Sequence, residues 1–194
     1  LYLPGRAFPK LMKVEQYGAT VIAAPSGYGK TSCVRRLQKE LPEDDFIWCP
    51  TVWEDIHNGW RGFCEQIARF DPVTANALSR TDVFGGEAEL AAELLRGMTC
   101  PIANATFFII DDFHLLQSIV PKVVSTALIN HTCERLHIIL LGQGFKSTLV
   151  ERYGAFSLNW IGPEDLLFTA EDIRGCYQAS GVTLSEVEAQ MLLS

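Results

Sequence analysis

Residues 23 to 33 read Ala-Ala-Pro-Ser-Gly-Tyr-Gly-Lys-Thr-Ser-Cys. Two glycines flank Tyr28, and a lysine and two hydroxyl side chains come directly after. Glycines let successive backbone N–H groups point into one cavity, and a helix starting there adds the positive end of its dipole. In that arrangement Pro25, Ser26, Gly27, Tyr28, Gly29, Lys30, Thr31 and Ser32 form a cradle for a chain of phosphates. Lys30 would reach the β- and γ-phosphates, and Thr31 would hold Mg²⁺. The usual pattern has its first glycine where this chain has Ala24. Alanine lacks only the freedom to adopt positive φ, so the loop survives if that position is not left-handed.

A second stretch strengthens the first. In Phe-Phe-Ile-Ile-Asp-Asp-Phe (107–113), four apolar residues lead to Asp111 and Asp112. A carboxylate at the end of a buried strand, beside a phosphate loop, can hold a nucleotide's metal ion through water, the role that fits Asp111. Asp112 would orient or deprotonate an attacking water. The alternative is a pair that caps the next segment, although carboxylates on a buried strand are otherwise costly. Loop and carboxylates together favour nucleotide binding. Gly142-Gln143-Gly144 opens a GxG but has Ser147 where a dinucleotide fingerprint needs glycine. Ser26 lacks the flanking glycines of a nucleophile elbow. His57, His114, His131 and His137 are isolated and read as packing or surface residues. Arg35 and Arg36 read as a solvated helix face, with phosphate or adenine contact as the other possibility.

These side chains need a frame. Ala19–Pro25 reads as a buried strand before the loop, and residues 30–41 as a helix stopped by Pro42. Strands are expected at 46–52, 105–113, 135–142 and 155–161. Helices are expected at 57–70 (closed by Asp71-Pro72), at 85–98, from Pro121 to about Thr132, and briefly after the fourth strand. Alternating strands and helices predict a parallel sheet covered on both faces. After Gly162-Pro163 only helices are expected, with Thr169/Asp172 and Thr183/Glu186 in capping-box form and Gly181 between them. The fold class is therefore α/β, three layers around a five-stranded, mainly parallel sheet, leading into the start of an all-helical subdomain. The domain reading is 1–163 for the nucleotide-binding part and 164–194 for a helical subdomain cut short.

Composition agrees with a globular domain: 48% hydrophobic and 20% charged residues in 194. The net charge of −7 argues against these residues being a nucleic-acid surface. Six scattered cysteines form no CxxC pair and point to a reducing, cytoplasmic setting. The longest apolar runs are strand-sized, so no membrane partner is expected.

The loop Ala-Ala-Pro-Ser-Gly-Tyr-Gly-Lys-Thr-Ser resembles that of the large ATP-binding LuxR-type (MalT-like) transcription regulators, members of the STAND class of P-loop NTPases, which also carry alanine at the place of Ala24. Ile-Ile-Asp-Asp-Phe-His-Leu-Leu (109–116) is similar to that family's acidic segment, and 165–177 to the start of its helical part. Residues 4–12 are a weaker match to its N-terminal segment, near which adenine would sit. The resemblance implies an ATP/ADP switch with Mg²⁺, self-associating in the ATP state, and touching DNA only through a C-terminal domain outside these residues. It also implies an arginine after the fourth strand, where this chain has Gln143. Glutamine can hydrogen-bond phosphate but adds no charge, so slow or absent hydrolysis is expected, with Gln143 as a catalytic candidate beside Asp112. Arg152 is a candidate substitute. Two other readings stay open: a vigorous AAA-type ATPase, and a degenerate interaction module.

Overall fold

The computed structural model describes residues 2–51, 53–100, 104–145 and 158–193. Five strands form the sheet: β1 (Ala19–Ala23), β2 (Asp45–Cys49), β3 (Thr106–Ile110), β4 (Leu136–Gly142) and β5 (Leu158–Ile161). All four pairings are parallel, and the order is β2-β3-β4-β1-β5. Strands fed by helical crossovers lie buried on both faces and read as unbroken apolar runs. In β3, Phe107 and Ile109 face one layer while Phe108 and Ile110 face the other. Each such side chain contributes about 1.5–3 kcal/mol by leaving water.

Helices supply the two outer layers. On one face lie α1 (Ala7–Leu11) and α2 (Lys30–Glu40), which bury Ala7, Leu11, Cys33, Val34 and Leu37 against Ile22, Ile139 and Leu141. On the other lie α3 (Ile56–Ile67), α4 (Pro72–Leu78), α5 (Ala88–Arg96), the short α6 (Phe113–Leu116) and α7 (Lys122–Ile129). Trp60, Phe63, Cys64 and Ile67 form the buried stripe of α3, as their spacing predicts. After β5 come α8 (Pro163–Leu166), α9 (Ala170–Gln178) and α10 (Glu186–Met191). Among the described residues, no helix is long and apolar enough to cross a membrane.

Several boundaries differ from expectation for local reasons. Asp71-Pro72 does not merely close a helix. Asp71 caps α4 by accepting the Thr74 N–H at 3.0 Å, and Pro72 sits in its first turn, where a missing N–H costs nothing. Asp71 also accepts the Thr99 N–H at 2.8 Å, tying α4 to the end of α5. Pro121 precedes α7 as its N-cap rather than entering its first turn. Thr169 and Asp172 form the expected capping box on α9. The second box belongs to Ser185 and Glu188, two residues beyond the Thr183/Glu186 reading. Helix α1 and the 3₁₀ turn at Val14–Gln16 are additions to the expected elements. The short helix expected after β4, with Arg152, lies outside the described residues.

Candidate functional site

In open α/β sheets ligands sit beyond the carboxyl ends of the strands. Here the segments leaving β1, β3 and β4 meet at that end, because β4 separates β1 from β3. The loop leaving β1 turns at Gly27 and Gly29, with φ of 86° and 77°, values that side chains other than glycine's rarely tolerate. Asp112 has the one positive φ outside glycine among the described residues, so Ala24 is not left-handed and no glycine is needed there. The Ala24 methyl is buried against α2's layer, and its N–H donates to the Gly142 carbonyl at 3.1 Å, pinning the loop's start to β4.

Lys30 opens α2 and is buried, unusual for an ammonium. Its Nζ donates to the Ala24 and Pro25 carbonyls at 2.9 and 3.0 Å, and no carboxylate among the described residues neutralises it. A buried cation held only by neutral acceptors is poised for an anion. Thr31 Oγ1 donates to Asp111 Oδ2 at 3.1 Å, joining positions 80 residues apart in the chain. A hydroxyl and a carboxylate side by side are hard oxygen donors of the kind Mg²⁺ takes together with phosphate oxygens, so the residues present fit Mg-nucleotide.

Asp112 sits at the αL position before α6, with φ 51°, and caps nothing with its side chain. The capping alternative therefore fails for the Asp112 side chain. Asp and Asn tolerate that backbone region better than most residues, though it still costs about 1 kcal/mol or more. Its N–H donates to Asp111 Oδ1 at 3.0 Å, so the turn also orients its neighbour.

The structure brings a further side chain to this corner. His114 Nδ1 lies 3.9 Å from Asp112 Oδ1, too long for a hydrogen bond, and is buried with no hydrogen-bond partner among the described residues. An atom replacing hydrogen at Gly142 would come within 3.3 Å of that nitrogen and 2.9 Å of the Phe145 ring. In sequence His114 reads as isolated; the one signal of its position is its place two residues after Asp112. Gln143 is exposed immediately after β4, beyond this packed corner.

Two cavities flank the start of α2. One, about 330 Å³, is lined by Tyr2, Pro4, Tyr28, Ser32, Cys33 and Phe168, among others. It is mainly apolar and lies beside the N-terminal segment, where a nucleotide base would fit. Burial pushes the Cys33 thiol up to about 11, so it stays protonated and inert at neutral pH. The other, about 340 Å³, is lined by Thr31, Arg35, Gln38, Trp48 and Asp111. Thr31 and Ser32 thus line different cavities at the helix start. Two other histidines do structural work: His137 Nδ1 pairs with the Tyr17 carbonyl at 3.0 Å, and His131 Nε2 with that of Gly18 at 3.3 Å.

Residues 13–156 match the family model AAA_22, described as an AAA domain. Comparison with curated proteins finds no match. The chain is similar in fold to a solved structure of Drosophila ORC bound to DNA, with a TM-score of 0.51 and 14% identity over 90% of this chain and 43% of that one. A C. elegans PCH-2 structure aligns with a TM-score of 0.43 and 13% identity, over 89% and 44% of the two chains. The chain thus spans less than half the length of either solved chain.

Proposed function

This chain belongs to the AAA domain family, and from that premise we propose that its nucleotide-binding domain is an ATP/ADP switch with slow hydrolysis, of the LuxR-type, MalT-like regulator kind. The observation that carries nucleotide binding is the 3.1 Å hydrogen bond from Thr31 to Asp111, set beside the buried, carboxylate-free Lys30. In this reading the backbone from Pro25 to Ser32 wraps the phosphates and Lys30 moves from two carbonyls to β- and γ-oxygens. Thr31 and Asp111 would hold the metal ion. Bound Mg²⁺ supplies charge neutralisation between the phosphates. Asp112 accepts a proton from, or orients, the attacking water.

Weak turnover is supported by the residue at the exit of β4. Gln143 carries no charge, and a missing cation at developing negative charge costs several kcal/mol in rate. Self-association in the ATP state, and DNA contact through a domain beyond these residues, belong to the same reading and rest on the resemblance of the loop and acidic segments; the net charge of −7 argues only against these residues being the DNA surface. The domain division at about residue 163, where β5 gives way to helices alone, belongs to it too.

The test is mass spectrometry of nucleotide released from purified protein, paired with steady-state hydrolysis. Tightly held ADP and turnover far below the typical enzyme median of about 10 per second support a switch. Turnover near that median supports the second reading, a vigorous AAA-type ATPase. No stabilisation by Mg-ATP or Mg-ADP would remove both.

A further inference from the structure

The cavity on the metal side of the site holds a cation that neither the loop motif nor the acidic motif uses. Its walls are Thr31, Arg35, Gln38, Trp48 and Asp111, enclosing about 340 Å³. Thr31 and Arg35 are one turn apart on α2 and share a face, which puts their Cβ atoms about 5–6 Å apart. Helical side chains lean toward the helix N-terminus, so Arg35 leans back toward Thr31 and the phosphate loop.

Arg35 is exposed and has no hydrogen bond or ion pair with any described residue. Other cations of α1 and the start of α2 are engaged. Lys30 is held by two carbonyls, and Arg36 pairs with Glu40 and lies over the Phe8 ring, 5.5 Å from its centre. Lys10 pairs with Asp165, and Arg6 donates to the Leu167 carbonyl. Of the described residues lining this cavity, Arg35 is the one cation. Trp48, half-buried on β2, forms the wall beside it.

A nucleotide running from the apolar cavity across Lys30 would place its terminal phosphate at the Thr31–Asp111 end. ATP brings more negative charge there than ADP does, and Gln143 offers none to meet it. We propose that Arg35 reads the γ-phosphate and so adds affinity for ATP that ADP does not receive; this rests on the nucleotide reading above. A guanidinium matches phosphate oxygens two at a time, and such charge-assisted pairs are the stronger class of hydrogen bond. ADP has no γ-phosphate, so the guanidinium gains no such pair with it.

The test is titration calorimetry of wild type, Arg35→Gln and Arg35→Lys with Mg-ATP and with Mg-ADP. Arg35→Gln weakens Mg-ATP roughly tenfold and leaves Mg-ADP within about twofold, tenfold being about 1.4 kcal/mol. Arg35→Lys falls between, because an ammonium keeps the charge but loses the fork. Equal weakening of both nucleotides, or an unchanged ratio of ATP to ADP affinity, overturns the assignment while leaving nucleotide binding intact. Wild type that binds neither nucleotide overturns both readings at once. Because Arg35 is exposed, the ligand-free melting temperature stays the same, which separates lost recognition from lost folding.

Discussion

Replacing Lys30 tests the division of labour within the loop. Its ammonium now makes two hydrogen bonds, to the carbonyls of Ala24 and Pro25. When phosphate arrives, those bonds are exchanged for bonds to phosphate oxygens, so their number changes little. The added term is charge against charge. At about 4 Å and an effective dielectric near 20, two unit charges attract by about 4 kcal/mol. Lys30→Ala therefore weakens Mg-ATP close to a thousandfold, since about 1.4 kcal/mol is a factor of ten. It also strips the buried Ala24 carbonyl of its partner, a cost of about 1–3 kcal/mol to the ligand-free protein that is offset by no longer burying an ammonium without a carboxylate. Asp112→Asn keeps the side chain's shape and leaves binding within about threefold, or about 0.65 kcal/mol, while hydrolysis falls. Calorimetry with Mg-ATP on both variants, with circular dichroism as a fold check, reads the difference. Equal loss in the two variants, or a folded Lys30→Ala that binds like wild type, would refute the reasoning.

Ala24→Gly loses a buried methyl, about 0.8 kcal/mol, and gains backbone entropy in the unfolded chain, about 0.5–1 kcal/mol. It should melt earlier with unchanged nucleotide affinity; tighter binding would mean the position wants a left-handed backbone after all. Thr31→Val keeps the shape but removes the hydroxyl facing Asp111, so nucleotide affinity should lose most of its dependence on Mg²⁺, measured by titration with and without chelator. Burial opposes charge on Asp172, but hydrogen bonds from Thr169 and from the Gly5 N–H outweigh it and hold the carboxyl below its usual value. Its stabilising contribution is complete above the unfolded value, about 3.9, and disappears as pH falls through the lower folded value. Melting curves of wild type and Asp172→Asn should therefore differ at neutral pH and converge in acid, and a gap constant with pH would count against it.

The parts legible in the sequence are those governed by short-range rules. The two faces of β3 come from an unbroken Phe-Phe-Ile-Ile run, which can only be buried on both sides. The loop is legible because glycine spacing and the lysine and threonine after it state their own geometry. Boundaries go astray where one residue can serve two ends. Asp71-Pro72 stops α3's run and starts α4 equally well. The Thr74 N–H shows that Asp71 caps α4, and the Thr99 N–H, 28 residues downstream, fixes its carboxylate from a part of the chain that local rules do not reach. The Thr183/Glu186 and Ser185/Glu188 pairs satisfy the same pattern two residues apart, and the backbone at Ser185 decides between them. The corner formed by His114, Asp112 and Gly142 is beyond sequence reasoning, since β4 joins β3 only through tertiary pairing.

The N-terminal segment ties the site to the helices after β5. The Gly5 N–H donates to Asp172 at 2.7 Å, fastening the segment to the start of α9. Lys10 bonds at 2.7 Å to the buried Asp165, whose carboxylate also accepts the Gly162 N–H. Asn159 of β5 donates to the Lys10 carbonyl at 2.8 Å. The apolar cavity is walled by this same segment, through Tyr2, Leu3 and Pro4, by the loop, and by Leu166 to Phe168. A base seated there buries surface on all three pieces at once. Its binding energy then depends on α9 staying docked, and by linkage α9's docking must strengthen by the same factor when the base binds. Asp172→Asn should for that reason weaken nucleotide binding from a position outside the phosphate loop. Equal nucleotide affinity in a folded Asp172→Asn would show that the three pieces move separately.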